Sequence, residues 1–404
     1  MSGLARSYGA NNSLAGRSMG RNRYERRQRQ TEFDDTDPTV LIIGSGQSGL
    51  SIAARLQQLG LTSLIIDRNA KIGDNWRNRY RTLVSHDPVH VCHMPYLPFP
   101  TTWPMFTPKD KLADWFKAYA SIMELNIWMS TILDSAIYDD ASKLWTVELH
   151  RGGNKCTLFP EHIKSFRGEI YHGSQHRDAS LLEKVKGKKV VVFGTGNSGH
   201  DIAQNFYENV ISANPGLFML HKDMYEEGGS STEEADLVGH SLPIPVQFAL
   251  MVGTTKKVIE ADEDILAGLQ KAGFKLEYCA DGAGIHRKYL TSGGGHYIDT
   301  GCSQLIIDGK IKVLQSPGGI QTFRDNELVL SNGNALKPDI VVLATGYDNM
   351  RTNRCKDVWN LDEEGEMNAL RLFYMGGRLA LARVYSKSLA LQVKAIEEGL
   401  MRDD

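Results

Sequence analysis

The most regular feature of the chain is a short apolar run that ends at a glycine, and it occurs twice. Thr39-Val40-Leu41-Ile42-Ile43 runs into Gly44, and Val190-Val191-Val192-Phe193 runs into Gly194. Runs of this length, bounded by turn residues, predict parallel strands buried on both faces. Helical spacing follows each one: Leu50 to Leu59 ending at Gly60, and the stretch from Asp201. Leu64-Ile65-Ile66, ending in Asp67, and Asp339-Ile340-Val341-Val342-Leu343 predict further buried strands. Gly216 to Leu220 is a candidate strand ending at His221-Lys222. Lys109 to Glu124 has helical spacing, and residues 131–158 alternate as a small antiparallel meander would. Residues 224–300 read as mixed helix and loop with a mobile turn at Gly293-Gly294-Gly295, and Lys310 to Leu330 as short strands. Residues 372–400 predict a strand, Gly376-Gly377, then a helix from Ser386 to Leu400. The stretch 71–108, rich in Trp, Pro and His, is long and irregular, and long ordered loops usually carry function.

Both glycines after the strands open the pattern G-x-G-x-x-G: Gly44, Gly46 and Gly49, then Gly194, Gly196 and Gly199. A strand, this pattern and a helix together are what a dinucleotide site requires. The first glycine permits the tight turn, the second lets backbone approach a pyrophosphate, and the third lets helix and strand pack closely. The helix start offers unpaired N–H groups to the phosphates. Asp67 lies 23 residues beyond Gly44, close to the usual spacing for an acid that binds ribose hydroxyls. Two such folds, 150 residues apart, imply two dinucleotides or one dinucleotide and a pseudo-site. The pattern G-x-x-x-x-G-K-[ST] is absent, which argues against a nucleotide hydrolase.

Composition narrows the class further. Net charge is −2 over 404 residues, so no bulk field favours nucleic acid or an anionic membrane. No apolar run approaches ~18 residues, so no membrane span is expected, and the N-terminus has no apolar core of a secretory leader. The five cysteines are far apart, with neither C-x-x-C nor C-x-x-x-x-C. Reduced thiols and a cytoplasmic location are the expectation. Residues 1–37 form a polar, arginine-rich arm expected to be solvated, frayed or partly helical.

Five motifs, in order, carry a family resemblance. They are the first glycine pattern, Gly73-Asp74-Asn75-Trp76-Arg77, Phe166-x-Gly168-x-x-x-His172, the second glycine pattern, and Leu343-Ala344-Thr345-Gly346-Tyr347. Over roughly residues 38–404 the chain resembles the class B flavin-dependent monooxygenases. Leu97-Pro98-Phe99-Pro100 through Lys109 looks most like the YUCCA-type branch and related fungal proteins. The resemblance implies an α/β fold of two Rossmann-like dinucleotide-binding domains, with the NADP-binding domain (166–338) inserted into a discontinuous FAD-binding domain (38–165 and 339–404). It implies FAD and NADPH as cofactors, and O₂ and a small molecule as substrates: a soft nitrogen or sulfur nucleophile, or a 2-oxo acid or other carbonyl compound. FAD would contact Gly44, Gly46, Gln47, Ser48, Gly49, Asp67, Arg68, Gly73, Asn75, Trp76, Arg77, Thr345 and Gly346. NADPH would contact Gly194, Gly196, Asn197, Ser198 and Gly199, with His172 ordering it as a hinge or simply satisfied in a turn. Lys222 stands where relatives carry an arginine that reads the 2′-phosphate, although Asp223 beside it opposes that charge. His86 stands at a position near the reacting flavin, as a catalytic group or a packed loop residue.

The chain departs from the family between Phe159 and Phe166, where a strand, a first A-T-G motif and a proline-rich linker are missing. An impaired cofactor-binding protein is therefore the alternative to an active enzyme. A disulfide-type pyridine nucleotide oxidoreductase is disfavoured, because no paired cysteine exists to sit beside a flavin.

Overall fold

The computed structural model describes residues 21–34, 36–139, 141–152, 166–182, 185–207, 225, 229–292, 296–346 and 371–401. The first apolar run forms β1 (Val40–Ile43), followed by α2 (Gln47–Gln58) and β2 (Ser63–Asp67). β1 pairs parallel with β2, and β2 with β3 (Ile127–Met129), placed after the helix α4 (Lys109–Ile122). The last helix, α11 (Leu379–Glu397), returns to lie on α2. Leu379, Ala390 and Val393 share one core with Leu50, Leu56, Ile65 and Phe116. The first domain is thus closed by the C-terminal end of the chain.

The second parallel sheet has the order β6 (Glu169–His172), β11 (Ile340–Leu343), β7 (Val190–Phe193). In register, Leu343 lies between His172 and Phe193. The resemblance puts the strand 340–343 in the second part of the first domain; its ladder hydrogen bonds go to β6 and β7 on either side. Its apolar pattern fits any buried parallel sheet, so only pairing could decide which. Gly168 explains part of the F-x-G-x-x-x-H motif: a Cβ there would sit 2.5 Å from the Phe166 ring and 2.7 Å from the Asp339 carbonyl oxygen. Phe166 packs edge-on against Phe323 of β8 (Ile320–Arg324), which pairs with β9 (Glu327–Leu330); β9 pairs with β10 (Ala335–Leu336).

Further differences have local causes. The predicted strand at 372–376 is absent among the described residues, and α11 begins at Leu379 rather than Ser386. Ser386 lies inside the helix, fully buried, with its hydroxyl donating to the Arg383 carbonyl at 2.8 Å. Small residues Ala380 and Ala382 let that first turn pack against its neighbours. The arm contains α1 (Arg21–Glu32), which is docked, not free. Trp128 Nε1 donates to the Thr31 carbonyl (2.8 Å), and Glu32 pairs with Arg151 (2.7 Å). Of the expected meander at 131–158, the described residues form a hairpin of β4 (Thr131–Asp139) and β5 (Leu144–Arg151), and residues 153–158 lie outside them. The candidate strand at 216–220 and Gly293 to Gly295 lie outside the described residues. Among the described residues, no single helix is long and apolar enough to cross a membrane.

Candidate nucleotide-binding and active site

The two glycine turns are built alike. Gly44 (φ 105°) and Gly194 (φ 128°) occupy left-handed backbone that favours glycine. A Cβ on Gly49 would lie 1.9 Å from the Gly44 carbonyl oxygen, and one on Gly199 would lie 2.2 Å from that of Gly194. These four glycines are demanded by the protein's own packing. Gly46 and Gly196 are different. A Cβ on Gly46 would meet only Asn75 Nδ2 at 3.4 Å, and one on Gly196 meets nothing nearer than 4.0 Å. Among the described residues nothing requires glycine there, which fits a backbone kept bare for a ligand's close approach.

A cavity of about 2350 Å³ runs from the first glycine turn to the ends of β6 and β11. That exceeds the ~300–1,000 Å³ usual for one drug-sized ligand. Gln47, Ser48, Gly49, Arg68, Asn75, Trp76, His172, Thr345 and Gly346, all singled out from sequence, line it. Trp76 Nε1 is buried without a hydrogen-bond partner among the described residues, although its ring packs against the cores of both domains. Arg68, Arg79 and Arg177 also line the cavity, and none has a carboxylate partner among the described residues. An elongated polyanion suits such a lining, because it supplies the charge these cations lack.

His172 joins two of the motifs. Ser174 N–H donates to its Nδ1 (3.2 Å), which leaves Nε2 to carry the hydrogen and donate to the Gly346 carbonyl at 2.9 Å. Ala344 beneath them packs against Gly194: a Cβ on that glycine would be 2.3 Å from the Ala344 carbonyl oxygen. The A-T-G stretch therefore touches the second glycine turn on one side and the cavity on the other.

Other expected site residues are engaged elsewhere. Asp67 is buried, and both its oxygens are occupied. Oδ2 accepts from Ser45 N–H and the Ser45 hydroxyl (both 2.7 Å), and Oδ1 accepts from Asn69 N–H and Nδ2 (both 2.8 Å). It braces the first glycine turn. Arg77 is paired with Asp114 (2.7 Å) and donates to the Ile72 carbonyl (2.7 Å), and it is not among the residues lining the cavity. Gly73 (φ 89°) starts the short helix 74–77 against Ala113. In the second domain, α5 (Asn197–Tyr207) follows Gly196, and Asn197 Oδ1 accepts the Ile298 N–H at 2.8 Å. The second glycine turn does not itself line the cavity. Lys222 and Tyr347 lie outside the described residues.

His86 is also outside the cavity lining. Its Nε2 is 3.5 Å from Asp201 Oδ2, a carboxylate that also accepts the Tyr80 hydroxyl and Thr300 Oγ1 (3.2 Å). Burial, and then the Asp201 charge, push the Tyr80 phenol well above its usual pKa, so it stays protonated and donates. This node joins the loop after Trp76 to α5. Sequence reasoning missed Arg79, Tyr80 and Asp201. Their partners are more than a hundred residues away, and no local spacing signals them.

Residues 42–106 match the model of the NAD(P)-binding Rossmann-like domain. The fold resembles that of solved flavin monooxygenases. A flavin-containing monooxygenase from Stenotrophomonas maltophilia aligns with TM-score 0.54 at 14% identity, covering 88% of this chain and 98% of that one. The structure titled as OTEMO in complex with FAD and NADP aligns with TM-score 0.55 at 16% identity, covering 90% and 86%. By sequence, the chain is similar to YUCCA-type monooxygenases. It is 29% identical over 333 residues to the probable indole-3-pyruvate monooxygenase YUCCA8 of Arabidopsis thaliana, covering 76% of this chain and 74% of that one.

Proposed function

We propose that the protein is an FAD- and NADPH-dependent monooxygenase that transfers one oxygen atom from O₂ to a small organic substrate. The single observation that carries this is the pair of glycine turns, each with its middle glycine bare, the first of them opening on a cavity that Arg68, Arg79 and Arg177 also line. FAD fits the first turn: Gly46 leaves its backbone open, Arg68 faces the cavity, and Trp76 offers an unpaired Nε1. Asp67 does not fit its expected role at the ribose, because its acceptors are taken. NADPH belongs to the second turn.

When bound, FAD supplies hydride acceptance from NADPH and activation of O₂. The chain's part is placement. His172 holds the Gly346 carbonyl at the cavity wall, and the Tyr80–Asp201 bond ties the first domain's loop to the second domain's helix. Exclusion of water from the site would favour oxygen transfer over loss of the oxidising equivalent. The sequence relatives are named as indole-3-pyruvate monooxygenases, which makes a 2-oxo acid the first substrate class to test, ahead of soft nitrogen or sulfur nucleophiles.

One observation favours the impaired alternative. Among the described residues no strand pairs with the outer edge of β1, and Ile43 at its end is 55% exposed. That edge is apolar, as a central strand's would be. The deciding experiment records the visible spectrum of the gel-filtered protein and its NADPH consumption with and without O₂. A flavin spectrum with O₂-dependent consumption and an oxygenated product supports the enzyme. A flavin spectrum with consumption that yields only hydrogen peroxide supports impairment, and a colourless protein that takes up no added FAD refutes both.

A further inference from the structure

Arginines around the site fall into two groups. Arg77 is paired with Asp114, Arg81 with Asp178, Arg378 with Asp87 and Arg383 with Asp236. Arg79 lies among them, half-buried on the cavity wall, and has no carboxylate partner among the described residues. Among the described residues, its one side-chain hydrogen bond runs from Nη2 to the Ser198 hydroxyl at 3.3 Å, across 119 residues of sequence. Ser198 lies within the second glycine pattern, two residues beyond the bare Gly196. The backbone that carries Arg79 is pinned to the second domain on its C-terminal side. Tyr80 donates to Asp201 of α5, and the Arg81 N–H donates to the Arg177 carbonyl at 2.7 Å.

We infer that Arg79, a first-domain residue, completes the second nucleotide site by binding a phosphate oxygen of the dinucleotide held at the Gly194 turn. This rests on the assignment of a dinucleotide to that turn. A half-buried guanidinium without a counter-charge is unfavourable, and a phosphate supplies both the charge and acceptors that match the planar fork. The Ser198 contact is long and to a neutral hydroxyl, so a phosphate replaces it at little cost. Tyr80 and Asp201 act as positioning residues: they hold the chain on which Arg79 is presented. The nucleotide then touches both domains and fixes the angle between them, which sets where the nicotinamide lies relative to the first site.

The test is calorimetric titration of NADP⁺ into the full-length protein at several salt concentrations, for wild type, Arg79→Met, Arg79→Lys and Tyr80→Phe. Arg79→Met keeps an unbranched stem and removes the charge. It should weaken NADP⁺ about tenfold or more, as expected for one charge-assisted contact. The salt dependence of binding should become shallower, a change that a purely structural role would not produce. Arg79→Lys should recover part of the affinity, and Tyr80→Phe should weaken binding less than Arg79→Met. FAD content and the melting temperature without nucleotide should stay at wild-type values in Arg79→Met. Unchanged NADP⁺ affinity in that variant, with wild type binding normally, overturns the inference and leaves the proposed function standing. Loss of FAD with NADP⁺ affinity spared reassigns Arg79 to the first site and also overturns it. A wild-type protein that takes up no NADP⁺ overturns the inference together with the nucleotide assignment beneath it.

Discussion

The imidazole of His172 reaches from the end of β6 to the Gly346 carbonyl, 2.9 Å away, and so ties two chain segments 174 residues apart at the wall of one cavity. Its other nitrogen is held by Ser174, so the ring has one tautomer and one orientation. His172→Leu fills similar space and makes neither bond. The expected loss is about 1–2 kcal/mol of stability, read by chemical denaturation. NADPH-driven flavin reduction should slow while reduction by dithionite, which needs no bound nucleotide, is unchanged.

Asp67 gives a second expectation. Four donors converge on a buried carboxylate, so Asp67→Ala leaves the Ser45 and Asn69 donors unsatisfied. The cost should be about 2–3 kcal/mol, and FAD should be lost because the turn loosens. A direct role at the ribose predicts weaker FAD at wild-type stability, so melting temperature and flavin content measured together separate the two.

Burial holds several histidines neutral, which sets a pH dependence. The His93 ring is pushed down to about 4, chiefly by burial and then by Arg383, and its Nδ1 accepts the Phe99 N–H at 3.0 Å. His176, His200, His240 and His286 are also lowered, each first by burial. The unfolded chain takes up a proton on each as pH falls through about 6.5, whereas folded His93 resists until about 4. Unfolding therefore binds protons across that window. Their contribution is complete above about pH 6.5 and is lost as pH falls. Melting temperature should decline from about pH 6.5 downward, and less steeply in His93→Asn, which keeps an acceptor for Phe99.

Much of this was legible in the sequence because it is local. Val40 to Gly49 and Val190 to Gly199 each place a strand, a turn and a helix within one short stretch, and the glycine chemistry needs nothing from elsewhere. What was not legible depends on distant partners. Asp67 has the spacing of a ribose ligand, but Ser45 and Asn69 reach its oxygens first. Arg77 and Arg79 are alike in sequence, and only the position of Asp114 makes one a structural pair and leaves the other to face the cavity. Ile340 to Leu343 has the apolar pattern of any buried parallel strand, so its sheet could not be read in advance. The early start of α11 was hidden because Val384-Tyr385 suits a strand as well as a helix.

The central claim is that two separate dinucleotides occupy the two glycine turns. Gly46→Ala and Gly196→Ala test it most directly, because neither Cβ meets protein closer than 3.4 Å and both variants should fold. The measurement is flavin content per chain, followed by rapid-mixing reduction with NADPH and with dithionite. The account predicts that Gly46→Ala is purified with little flavin. Gly196→Ala should keep its flavin, be reduced normally by dithionite, and be reduced by NADPH at least about tenfold more slowly, since its Cβ intrudes where a phosphate must sit. If Gly196→Ala loses flavin while Gly46→Ala retains it, the two sites are assigned the wrong way round. Wild-type behaviour in both variants would contradict the account outright.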